Sequence, residues 1–245
     1  MPQQHKPEQN HLLAALPAIV RSRLFPELEL VDMPYGKVLY ESGDTMQYVY
    51  FPIDSIVSLL YIMENGASAE FSVVGNEGFV GMALLMGGDS TPSQAIVQSA
   101  GHAYRLLAQL FKQEFHRHGD MQVLLLRYTQ ALITQMTQTA VCNRHHSVEQ
   151  QLCRWLLLCL DRVPGAQLYM TQELMSNMLG VRREGITEAA GNLQKHGAIK
   201  IGRGRITVLD RRVIEKLSCE CYAVVRKETD RLMPFPTGQG VLASA

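Results

Sequence analysis

Hydrophobic and polar positions change rhythm twice along this chain. Residues 12–30 read as helical turns closed by Pro26. Short runs of β-forming residues follow, separated by turn formers: YGKVLYESGD (35–44), QYVYF (47–51), SIVSLLYIM (55–63), SAEFSVVG (68–75) and QAIVQS (94–99). Asn65-Gly66 lies between two of these runs and predicts a hairpin with a type I′ turn, because both residues tolerate positive φ. Strands at this spacing predict a β-sandwich or rolled barrel over residues 33–108. From about Leu110 the period becomes helical, and residues 121–141 contain neither Gly nor Pro. There Met121, Leu125, Tyr128, Leu132, Gln135 and Thr139 recur at spacings of three and four, a mostly apolar stripe that needs a partner surface. That partner is either the chain's own barrel or a second copy, and pairing with a second copy through residues 119–143 is the reading taken. A further apolar helix, 147–163, has Ser147 as its N-cap and stops at Pro164-Gly165.

Beyond that break, MTQELMSNMLGVRREGITEAAGNLQKHG reads as two helices joined by a tight turn. Thr171 is the expected N-cap of the first, with Glu173 adding favourable negative charge. Counting from Gln172, a small residue (Ser176) falls at position five, glycine (Gly180) at nine and a buried-type residue (Ile186) at fifteen. The small side chain lets the helices approach, the glycine turns the chain, and the isoleucine locks the pair: the pattern of a helix-turn-helix. The second helix, 182–195, then presents Arg182, Arg183, Glu184, Thr187 and Glu188 in its first turns, where a major-groove helix meets base edges. Arginine grips guanine with two parallel bonds and glutamate accepts from cytosine. The helix dipole alone would disfavour two arginines there. AIKIGRGRITVLD next predicts a hairpin wing carrying Lys200, Arg203 and Arg205 to phosphates. One closing helix, 211–232, is expected, then a disordered tail over 233–245.

Net charge is zero overall, which conceals an asymmetry. Residues 1–163 hold 11 Lys+Arg against 15 Asp+Glu, whereas residues 164–245 hold 12 against 8, so the helix-turn-helix half is the basic one. The five cysteines lack paired CxxC spacing, and no signal peptide or membrane span is read, which predicts a soluble cytoplasmic protein. Cys219 and Cys221 are read as inert packing residues, and His116, His118, His145 and His146 as exposed polar positions, so no metal or cofactor is assigned. An enzyme of the metal-dependent cupin type would need several ligands inside the barrel, yet the only histidine between Met33 and Ala108 is His102. No nucleophile–base pairing or phosphate loop is visible, so no catalytic residue is assigned.

The order β-roll, long helix, winged helix-turn-helix resembles the Crp/Fnr family of bacterial transcription regulators over residues 12–232, with GVRREGIT (180–187) the closest local match. The resemblance implies an α+β fold: a jelly-roll-like β-roll sensory domain (12–118), a dimerisation helix (119–143) and a winged helix-turn-helix domain (144–232). It implies a homodimer on a two-fold related double-stranded DNA site, with RNA polymerase and a small-molecule effector of unknown identity as further partners. By position, Arg183 and Glu184 match the family's base-contacting pair, and Thr171 and Gln172, at the first helix's start, are also expected to contact DNA. Glu188 departs from the family's frequent arginine. Cyclic-AMP-binding members carry a ribose glutamate and an Arg-Ser phosphate pair, where this chain has Met82 and Pro92-Ser93. Loss of cyclic AMP binding is therefore expected. An effector-free roll serving as a scaffold is the alternative.

Overall fold

The computed structural model describes residues 5–233. Two short helices, α1 (His11–Ala14) and α2 (Ala18–Leu24), lead into β1 (Glu29–Met33), β2 (Val38–Tyr40), β3 (Tyr48–Pro52), β4 (Ile56–Ile62), β5 (Ser68–Val74), β6 (Gln94–Ser99) and β7 (Gly101–Leu107). The strands form two antiparallel sheets, ordered β1-β7-β3 and β2-β6-β4-β5. Met33, Val49, Phe51, Val57, Phe79, Val97 and Leu106 fill the core of this roll. The strand runs expected from the sequence are present, with β1 and β7 in addition. The β4–β5 hairpin turns at Asn65-Gly66, but only Gly66 is left-handed (φ 81°), so the turn is not the expected type I′. The Asn65 side chain instead accepts a hydrogen bond from Ala67 N at 3.0 Å, an Asx turn that keeps Asn65 at negative φ.

After α3 (Ala108–Phe115), the long helix α4 runs over Asp120–His145. Its predicted stripe faces inward. Met121, Leu125, Tyr128, Leu132, Gln135 and Thr139 are all buried within the protomer, so they are not the surface a second copy would cover. The physical reason is visible side chain by side chain. The Tyr128 ring packs on Phe79 with centroids 5.2 Å apart, in space that any side chain at Gly78 would fill. Gln135 pairs with the backbone of edge strand β5, accepting from Val73 N at 2.9 Å and donating to Val73 O at 3.3 Å. A second stripe on the same helix, Val123, Leu126, Ile133 and Val141, is exposed.

Helix α5 (Val148–Leu160) is capped as expected by Ser147, whose hydroxyl accepts from Gln150 N in a capping box. It is buried on every side from Gln151 to Leu160, at the centre of a second core. That core joins Ile56, Leu60 and Val73 of the roll to Leu156, Met175, Ile186, Leu193 and Ile206 of the following elements. Polar links cross the same seam. Glu77 pairs with Arg162 at 2.8 Å, and Glu70 of β5 accepts from Trp155 Nε1 at 2.7 Å. Burial pushes the Glu70 carboxyl up to about 7, against the opposing pull of the Ser58 hydroxyl, the Trp155 donor, Arg154 and Arg162.

The remaining elements are β8 (Gln167–Leu168), α6 (Gln172–Leu179), α7 (Arg183–Lys195), β9 (Ile199–Gly202), β10 (Arg205–Val208), α8 (Arg211–Leu217) and α9 (Glu220–Leu232), with a small sheet ordered β8-β10-β9. The single closing helix expected over 211–232 is two helices. The chain is extended at Ser218 and Cys219 (ψ 153° and 166°), which makes Cys219 the N-cap of α9. The tail expected to be disordered lies, from residue 234 onward, outside the described residues.

Candidate nucleic-acid interface

The two-helix unit is built as its spacing requires. Thr171 caps α6 by accepting from Leu174 N at 3.1 Å. Gly180 ends the helix in the left-handed region (φ 63°), a conformation that costs other residues about 1–2 kcal/mol. Ser176 is buried, and Ile186 is fully buried beneath both helices. Gln172 Oε1 accepts from the Thr187 hydroxyl at 3.2 Å, tying α6 to α7. The Thr187 hydroxyl can instead donate to Arg183 O at 3.0 Å, its single proton serving one of the two acceptors at a time.

Helix α7 begins at Arg183, with Arg182 as an extended N-cap, one residue later than the sequence suggested. Two features missed in the sequence hold this helix in place. Gly185 faces the start of α5, where an added Cβ would stand at ordinary contact distance from Val148, 3.7 Å. Asn192 Nδ2 donates to Glu149 Oε2 at 3.0 Å. The first left only a glycine inside a helix as its signal; the second joins residues too distant in sequence to pair by spacing.

Arg182, Arg183, Glu184, Thr187 and Glu188 are exposed along the outer side of α7, opposite the buried Ile186, Ala189, Ala190 and Leu193. Strands β9 and β10 form the expected wing, turning through Arg203 and left-handed Gly204 (φ 69°). Lys200, Arg203 and Arg205 on it are exposed. Among the described ion pairs, none involves Arg182, Arg183, Lys200, Arg203 or Arg205. An exposed cation without an internal carboxylate keeps its charge available to an anionic partner. Arg182 as N-cap offers no acceptor, so the first-turn amides of α7 have no side-chain cap. Such a helix end suits a phosphate.

The roll offers an anion much less. No Lys or Arg occurs between Lys37 and Arg105. Of the flanking cations, Arg105 is paired with Glu29 and Lys112 with Asp89. Met82 opens a short 3-10 turn (Met82–Leu85) and packs against the roll core, Pro92 is exposed, and Ser93 is buried beside Tyr40.

The histidines and cysteines divide. His116, His118 and His145 are exposed, in keeping with their sequence reading. His146 is not: it is half-buried, and the fold gathers it with Cys142, Cys219 and Cys221. Among the described residues, no helix is long and apolar enough to cross a membrane.

Comparison with known proteins agrees with this construction. Residues 30–118 match the model of the cyclic nucleotide-binding domain, and residues 150–217 that of the Crp-like helix-turn-helix domain. The chain is 24% identical over 210 residues to a global nitrogen regulator of Synechocystis, covering 82% of this chain and 92% of that protein. It is 23% identical over 182 residues to a global nitrogen regulator of Nostoc, covering 71% and 82%. Its fold is similar to FixK2 from Bradyrhizobium japonicum (TM-score 0.65, 14% identity, 78% of this chain and 98% of that one). It is also similar to the c-di-GMP responsive global regulator CLP of Xanthomonas campestris (TM-score 0.63, 16% identity, 79% and 100%). A cyclic nucleotide-binding-type roll followed by a Crp-like helix-turn-helix, on this fold, makes the chain a DNA-binding transcription regulator of the Crp/Fnr family.

Proposed function

We propose that this regulator acts in the cytoplasm as a homodimer on a two-fold related DNA site, with α7 in the major groove. Arg183 and Glu184 read a G·C-containing step there, while Arg182, Lys200, Arg203 and Arg205 hold phosphates. The observation that carries this reading is the row of exposed, unpaired arginines on α7 and the wing. Glu188, also exposed, disfavours a base or phosphate with an acceptor at its position. Thr171 and Gln172 serve as cap and strut for α6, holding the recognition helix rather than reading sequence. Dimerisation uses the exposed stripe of α4, Val123, Leu126, Ile133 and Val141, whose spacing of three, seven and eight keeps it on one helical face. Family membership supports contact with RNA polymerase, and regulation rather than catalysis.

The roll does not bind cyclic AMP in this reading, because a partly buried phosphodiester requires a cation or several donors and β2–β6 supply no cation. An effector, if the roll takes one, is uncharged or cationic. The base-reading assignment is tested by comparing Arg183→Ala and Arg203→Ala in binding titrations on a selected site and its single-base variants at several salt concentrations. Loss of a bidentate base contact costs about 1–3 kcal/mol and relaxes discrimination at one base pair. Loss of a phosphate contact weakens all sequences alike and lowers the salt slope by about one ion. If Arg183→Ala preserves the ranking of base variants, Arg183 is a backbone clamp and the assignment fails.

A further inference from the structure

Three of the five cysteines and one histidine meet at a single point. Cys142 lies in the last turn of α4 and His146 is that helix's C-cap residue. Cys219 and Cys221 lie at the start of α9. Their three sulfurs and one imidazole nitrogen all fall within 4.8 Å of one another. Cys142 Sγ and Cys219 Sγ are 3.5 Å apart, although 77 residues separate them, and Cys221 Sγ is 3.6 Å from His146 Nδ1. A tetrahedral ion with bonds of about 2.3 Å to sulfur and about 2.0 Å to nitrogen sets its ligands roughly 3.4–3.8 Å apart. Those two separations already match.

We propose that Cys142, His146, Cys219 and Cys221 form a closed tetrahedral site for a divalent metal ion of the zinc class. Two observations beyond the clustering support it. The ring nitrogen of His146 that faces away from Cys221, Nε2, lies 3.3 Å from Glu220 Oε2. A carboxylate on the far nitrogen is how proteins orient a metal-binding imidazole. Nearby, Arg154 is 2% exposed, donates to the Thr139 hydroxyl at 3.2 Å and leaves its Nε without a partner, and no described ion pair includes it. Three thiolates around a divalent ion carry one net negative charge, which this buried guanidinium would balance. Three thiols packed as small apolar groups would not call for the aimed imidazole.

Binding proceeds as simple exchange: the ion loses its waters, three thiols release three protons to solvent, and neutral His146 supplies the fourth bond. With all four positions taken by protein, the site is structural. It joins the end of the long helix to the start of the last one, where the roll half gives way to the DNA-binding half.

The full-length protein, purified anaerobically without chelator, should contain about one zinc per chain by elemental analysis. After removal with a chelator, titrated Co2+ should give intense visible ligand-field bands and sulfur-to-cobalt charge transfer, saturating at about one equivalent. Cys221→Ser and His146→Ala should lose or weaken that spectrum, while Cys153→Ser, at a buried cysteine outside the cluster, should keep it. To keep the test independent of how the variants fold, wild-type protein is also melted with and without the ion; metal should raise the melting temperature, and chelation should lower it. Substoichiometric metal with a weak octahedral cobalt spectrum would overturn the proposal. So would an iron–sulfur chromophore, or peptide mapping that shows a Cys142–Cys219 disulfide in protein that takes up no metal.

Discussion

Replacing Glu70 by glutamine should make the protein more stable at alkaline pH and leave it nearly unchanged in acid. The carboxyl is buried on β5, with one oxygen held by Trp155 Nε1 and the other without a partner. Its folded-state pKa is raised from 4.5 to about 7 by desolvation, so the folded protein holds the proton after the unfolded chain has released it. The stabilising contribution is complete below about pH 4.5 and is lost as pH rises through about 7. Moving a carboxyl that far corresponds to about 3 kcal/mol. For a chain of this size that is roughly 6–12 °C in melting temperature. Glutamine keeps an acceptor for Trp155 and cannot ionise. Urea unfolding at pH 5 and pH 8 measures the effect, followed by the fluorescence of Trp155, the only tryptophan in the chain. The comparison uses the difference between variant and wild type at each pH, because other groups titrate in both proteins alike. A difference that stays constant from pH 5 to pH 8 would refute the reasoning, as would a variant less stable than wild type at pH 8.

The two faces of α4 should respond in opposite ways. Ile133→Asp, on the exposed stripe, should yield folded monomers in sedimentation velocity, and an unchanged dimer would move the interface elsewhere. Leu132→Ala, on the buried stripe, should instead cost about 2–5 kcal/mol of stability and leave the association state unchanged. Calorimetric titration with cyclic AMP should give no saturable heat; micromolar binding would overturn the reading of Met82 and Pro92.

The helix-turn-helix was legible because its constraints are local: a cap, a small residue, a left-handed glycine and a buried isoleucine at fixed offsets, each demanded by one close helix crossing. The long helix was legible as a helix but not in its orientation. It is apolar on two faces, one carrying Met121 to Thr139 and the other Val123 to Val141, and period alone cannot say which face meets the roll. Polar Gln135 and Thr139 would have seemed better suited to the outside, yet the edge of β5 and Arg154 give them buried partners. Strand β1 was hidden because only Met33 of its five residues is fully buried, leaving no alternation to detect. The break at Ser218-Cys219 carries neither Gly nor Pro, and without it Cys219 and Cys221 looked like unremarkable positions inside a helix. Gathering them with Cys142 and His146 is a tertiary event no spacing rule anticipates.

The seam between roll and DNA-binding half limits how freely such proteins can be recombined. Ile56, Leu60 and Val73 belong by sequence to the roll and by packing to the core around α5, and Gly180 at the helix-turn-helix corner lies against Ala69 of the same sheet. A chimaera joined at the loop before α5 would carry a foreign β4–β5 surface beneath its own Trp155 and Leu156. Grafting a different sensor onto this reader would therefore require transplanting the outer face of that hairpin as well, so the exchangeable unit is larger than either domain.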